Sequence, residues 1–118
     1  MPGEGSALPH AVSALQALVR IPTVSHREWE RVDGDAFDRL LDELAAQFPL
    51  LHARLELTRA GTHGLLFRWP GADDAQPLVL MAHLDVVPVE GQAWSRDPFC
   101  GDVHDGAIWG RGTLDDKG

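Results

Sequence analysis

The chain has 118 residues, a size that suits one small domain rather than two. Hydrophobic residues make up 44% and charged residues 24%, the balance of a folded globular protein, which excludes a wholly disordered one. Ten Lys and Arg against eighteen Asp and Glu leave a net charge of −8, which argues against nucleic acid or an anionic membrane as partner.

The first few residues, with Pro2, Gly3 and Gly5, read as a loose tail, and residues 1–9 lack the basic segment and apolar run of a secretory signal. No apolar run approaches the roughly 20 residues of a membrane-spanning helix. Leu8, Val12, Leu15, Leu18 and Val19 recur at helical spacing until Pro22 stops them. Thr23 to Arg31 is polar and predicts a loop. A stronger helix follows, with Phe37, Leu40, Leu41, Leu44 and Phe48 on one face, Asp33 or Asp35 as its N-cap, and Pro49 after its end. Two amphipathic helices need something to cover, and the next segments supply a sheet.

From His52 to Thr58, apolar Ala53, Leu55 and Leu57 alternate with polar residues, the pattern of a strand with one buried face. A turn over residues 60–64 leads into a second strand, Leu65 to Trp69, and predicts an antiparallel pair. After another turn, Leu78-Val79-Leu80-Met81-Ala82 is continuously apolar, which predicts a central strand covered on both faces. Residues 86–101 show little periodicity. Asp102 to Trp109 predicts a short hairpin turning at Asp105-Gly106, with Trp109 in the core. Cys100 is the lone cysteine, so no intrachain disulfide forms, which suits a cytoplasmic location.

Two clusters carry chemistry. His83 and Asp85 follow the most apolar strand, where ligand sites of α/β sheets gather, and residues two apart in extended chain project to one side. Histidine is the commonest protein ligand for zinc, and a neighbouring carboxylate fixes its tautomer. An isolated His-x-Asp is, however, more often a surface strand end. The second cluster is Gly110-Arg111-Gly112-Thr113-Leu114-Asp115-Asp116-Lys117-Gly118, in which glycines turn the backbone tightly and adjacent carboxylates offer oxygen ligands. Alone, it is most simply a solvated turn. Trp94 and Phe99, between the clusters, read as pins for a long loop, with the mouth of a pocket as the alternative. His10, His26, His52, His63 and His104 have no partner pattern and read as surface residues. Cys100 has no partner that would make it a nucleophile.

The ordered set His83-Leu84-Asp85-Val86-Val87-Pro88, Trp94, Pro98-Phe99, Asp105-Gly106 and Gly110 to Gly118 resembles the M20 metallopeptidases, a family of carboxypeptidases, aminoacylases, dipeptidases and deacylases. Leu18 to Ser25 also resembles the opening of these enzymes. The closest likeness is to the carboxypeptidase S and N-acyl-amino-acid hydrolase branch, while succinyl-diaminopimelate desuccinylases and acetylornithine deacetylases share much of the pattern.

The resemblance implies an α/β fold, a three-layer α/β/α zinc-exopeptidase-like catalytic domain with a mixed sheet, of which residues 1–118 are the N-terminal portion. It implies two zinc ions, with Co2+ or Mn2+ as substitutes, His83 as ligand of one and Asp115 bridging both. Asp85 is then a catalytic residue that holds the His83 ring, and the Asp115–Asp116 peptide is cis. Arg111 is expected to pair with buried carboxylates or to sit at the surface. The implied reaction is hydrolysis of an amide bond in a small peptide or N-acyl amino acid by metal-activated water, in a full-length form that is homodimeric. The general base and remaining ligands would follow Gly118, so the chain alone is expected to be inactive. The rival reading is a non-catalytic remnant or binding module.

Overall fold

Helix α1, Ala7–Val19, buries Ala14 and Leu18, one turn apart on a single face, together with Val19. The structure is a computed structural model and describes residues 7–118; the tail reading for residues 1–6 lies outside it. Helix α2, Gly34–Gln47, starts at Asp33, whose side chain accepts a hydrogen bond from Ala36 N at 3.2 Å. Of the two candidate caps, Asp33 takes the role. Asp35 lies in the first turn, where its charge complements the helix dipole. Ala36, Phe37, Leu40 and Leu41 form the buried stripe of α2, which packs on α1. Leu40 and Val19 are fully enclosed, and burial of such a side chain stabilises by roughly 1.5–3 kcal/mol.

Pro49 ends α2 but opens a further helix, α3, Pro49–Arg54. Proline suits a first helical position because that N–H has no intrahelical partner. The strand predicted from His52 therefore starts late. Strand β1 covers Glu56–Ala60 and pairs antiparallel with β2, Gly64–Arg68, in a register running from Glu56 opposite Arg68 to Ala60 opposite Gly64. The apolar alternation at Ala53, Leu55 and Leu57 is too sparse to override the helix start at Pro49. The loop before β2 also corrects a histidine reading. His63 is not a surface residue: its ring stacks on Phe37 at 4.8 Å and its side chain is 13% exposed.

The largest departure concerns Leu78–Ala82. Instead of a central strand, the segment is unpaired, with Leu80 85% and Met81 90% exposed. A strand needs a neighbour to take up its N–H and C=O groups, and among the described residues none lies beside it. Pairing begins only at Val86, which forms a parallel bridge with Val24. Ser25 N donates to Val86 O and Val86 N to Thr23 O, each at 2.9 Å. Val86 is buried, and so is Thr23, although its surroundings in sequence predict loop.

The second hairpin matches its expectation. Strands β3, Val103–His104, and β4, Ala107–Ile108, join through Asp105 (φ 50°) and Gly106 (φ 73°), the two positive-φ positions of a tight hairpin turn. Trp109 is not core as expected. It is 37% exposed, its indole N–H donates to His104 O at 2.9 Å, and Arg96 lies 5.2 Å over its ring. The fold is thus mixed α/β, with two separate two-stranded antiparallel sheets among the described residues. No described helix is long and apolar enough to cross a membrane.

Candidate metal centre

The site is built from two loops that face each other across the Val86 bridge. Residues 83–86 descend from the uncovered apolar segment and are fixed where Val86 meets Val24. Residues 110–118 form a turning loop that lies against them. Gly112, at φ 91°, sits so close to Val86 that a Cβ there would come 2.8 Å from Val86 Cγ1. A side chain at this position would push the acidic loop away from the histidine.

That contact brings the chemistry together. His83 Nε2 lies 2.8 Å from Asp115 Oδ1, and His83 Nδ1 lies 3.1 Å from Asp85 Oδ1 and 3.0 Å from Asp85 O. The backbone N–H of His83 donates to Asp116 Oδ2 at 3.2 Å. All three residues proposed from sequence therefore share one spot, and the Asp115–Asp116 peptide is cis. Carboxylates face both ring nitrogens, so the His83 pKa is raised above 6.5, first by the hydrogen bond to Asp115 and then by that to the Asp85 backbone. When Nδ1–H donates to Asp85, the Nε2 lone pair is free for an electrophile.

The donor chemistry suits a zinc-type ion: one imidazole nitrogen with its other nitrogen backed by carboxylate, and one carboxylate 87% exposed on its side chain. The number of donors falls short of a full set. Among the described residues, no group of three or more His, Cys, Asp or Glu is disposed to hold a metal ion. His83 and Asp115 fit as part of a centre.

Lys117 has a place that sequence did not assign. Its Nζ donates to Leu18 O at 3.0 Å and Ile21 O at 2.8 Å, carbonyls at the C-terminal end of α1. Burial lowers its pKa from 10.5 to about 8. Of the two expectations for Arg111, pairing with carboxylates is not found among the described residues. Its guanidinium donates to Gln92 and lies 5.0 Å over the ring of Trp94, while its Nε is buried without a partner among the described residues. Trp94 pins its loop as expected, its indole N–H donating to Val89 O at 3.2 Å.

A cleft of about 230 Å³ is lined by His83, Asp85, Trp94, Arg111 and Asp115. A larger, mostly apolar cavity of about 600 Å³ also borders His83 and Asp85, walled by Trp29, Phe37, His63 and Phe67. The smaller cleft is lined by Asp115 as well as by His83 and Asp85 and is the candidate site; the larger one borders the uncovered segment at Ala82.

Residues 79–118, which contain both clusters, match the model of peptidase family M20/M25/M40. The chain is 38% identical over 113 residues to an N-fatty-acyl-amino acid synthase/hydrolase of Xenopus tropicalis, covering 90% of this chain and 21% of that protein. It is also 38% identical over 118 residues to carboxypeptidase S of Saccharomyces cerevisiae, covering 91% of this chain and 20% of that protein. The chain belongs to the M20 family. A carboxypeptidase of Schizosaccharomyces pombe is similarly related, at 38% identity over 110 residues, 86% of this chain and 18% of that protein. The chain thus spans about a fifth of the length of the curated M20 relatives it matches. No solved structure matches it.

Proposed function

We propose that this M20 segment contributes one side of the active site of a metal-dependent hydrolase that cleaves amide bonds in small peptides or N-acyl amino acids. The observation that carries the reading is the convergence of His83, Asp85 and Asp115, from two distant loops, on one cleft. His83 and Asp115 would hold zinc, with Asp115 as the carboxylate shared by two ions, and Co2+ or Mn2+ would substitute. A zinc ion held by these residues would lower the pKa of a bound water to about 7 and would itself polarise the scissile carbonyl. Asp85 orients the His83 ring and keeps Nε2 directed at the cleft. Trp94 and Arg111 wall the same cleft and limit its width.

The reading includes a larger frame. Residues 1–118 would form the N-terminal part of one three-layer α/β/α catalytic domain, in which Leu78–Ala82 becomes a central strand once neighbours flank it. The general base and further ligands would lie outside this segment, in a cytoplasmic and homodimeric protein. Relatives named as N-fatty-acyl-amino acid hydrolase and as carboxypeptidase S support amides beside a carboxylate as the substrate class; desuccinylase and deacetylase substrates are the alternative within the family.

The shortage of donors favours one other reading, a non-catalytic module. Metal content and hydrolysis of N-acyl amino acids and dipeptides separate the two. The protein with its full complement of ligands should bind two zinc ions and turn over, and His83→Ala or Asp115→Ala should abolish both. The 118 residues alone should bind zinc weakly and hydrolyse nothing. Zinc-independent hydrolysis, or activity that survives both substitutions, would overturn the proposal.

A further inference from the structure

We propose that the Leu18–Ser25 turn is the brace that aligns His83 with Asp115, and that Lys117 and Thr23 are the positioning residues that fasten the two loops to it. The purpose assigned to this alignment rests on the metal-site reading above; the geometry itself does not.

Each loop is tied to the same short stretch by different atoms. On the acidic side, Lys117 Nζ donates to Leu18 O and Ile21 O, while its backbone N–H donates to Gly112 O at 2.9 Å. One residue therefore closes the Gly112–Lys117 loop and hooks it to the end of α1. On the histidine side, Thr23 Oγ1 donates to Leu84 O at 2.6 Å, and the two 2.9 Å backbone bonds flank Val86. Thr23 is completely buried, so its hydroxyl has no water to replace Leu84 O. A third contact, Gly112 against Val86, sets the spacing between the loops.

The charge pattern fits a positioning role. Lys117 does not pair with Asp115 or Asp116, where it would compete with a cation for the carboxylates; its ammonium turns to carbonyls at a helix C-terminus, which favours positive charge. Asp115 and Asp116 thereby keep their oxygens on the His83 side. Loosening of a supporting shell by about 1 Å is enough to impair a site.

The test measures alignment without metal. In the intact 118-residue chain, nuclear Overhauser effects between the His83 ring protons and the Asp115 β protons report their separation, and cross-strand effects between β1 and β2 serve as the control for folding. Lys117→Met should weaken the His83–Asp115 signal by about fourfold or more, the loss expected for a shift near 1 Å, with the control unchanged. Lys117→Arg, which keeps a charged donor, should restore it. An undiminished signal in Lys117→Met would overturn the assignment. If that variant loses the control signals, Thr23→Val decides: its signal should fall by a similar factor, and an undiminished one is equally fatal. Zinc titration of the wild type and His83→Ala separately tests the metal reading, since zinc binding indifferent to His83 would remove that reading and leave the alignment result standing.

Discussion

His83 and Asp115 stand thirty-two positions apart in sequence and meet at 2.8 Å, Nε2 to Oδ1. Neither residue belongs to a helix or strand. Their meeting depends on loops held by a two-residue bridge and one lysine, and the consequences can be measured.

Asp85→Asn should weaken zinc binding by about 10–100-fold while leaving the fold intact, because Asn keeps the shape and loses the charge behind the His83 ring. Competitive zinc titration with a chromogenic chelator checks the magnitude, and far-ultraviolet circular dichroism checks the fold.

In the metal-free chain His83 should titrate above 6.5, and Asp115→Asn, which removes the largest cause, should bring it back towards that value. The sign for stability follows. A histidine whose folded pKa is raised stabilises fully below its unfolded value, and that contribution is lost as pH rises through the folded pKa. Histidine ring resonances followed against pH test both statements.

Leu40→Ala should destabilise the chain by about 2–5 kcal/mol, the cost of emptying a fully buried leucine site between α2 and α1. Urea unfolding monitored by circular dichroism measures it, and a change below about 1 kcal/mol would show that the helix pair is not the core.

Leu80→Lys should change the stability of these 118 residues by no more than about 0.5 kcal/mol, since Leu80 is 85% exposed. Greater solubility should accompany it, because an exposed run of five apolar residues invites association. A large loss of stability would mean that Leu78–Ala82 is buried after all.

Much of this arrangement is legible from sequence where local signals suffice. The helix stripe at Phe37, Leu40 and Leu41, the cap at Asp33 and the Asp105-Gly106 turn are each fixed by side chains within a few residues, and each is found. The boundary near His52 misleads because Pro49 stops one helix and starts another with equal ease. Leu78–Ala82 misleads for a different reason: an apolar run states what a segment needs and not whether a neighbour is present to provide it. At the site, His83, Asp85 and Asp115 stand out by residue type and spacing. Lys117 and Thr23 do not, since a lysine bound to carbonyls 96 and 99 positions away leaves no local trace. Gln92 is hidden for the same reason, its amide oxygen receiving a guanidinium nineteen positions on.

The reach of Lys117 back to Leu18 has a temporal meaning. During synthesis α1 is made long before residue 117, and until the ammonium arrives Leu18 O and Ile21 O have only their local backbone donors, Ile21 N–H and Thr23 N–H. The lysine joins them only after about a hundred further residues have been added at ~5–20 per second. The tie that Lys117 makes between the acidic loop and the end of α1 is therefore among the last contacts that the growing chain can form.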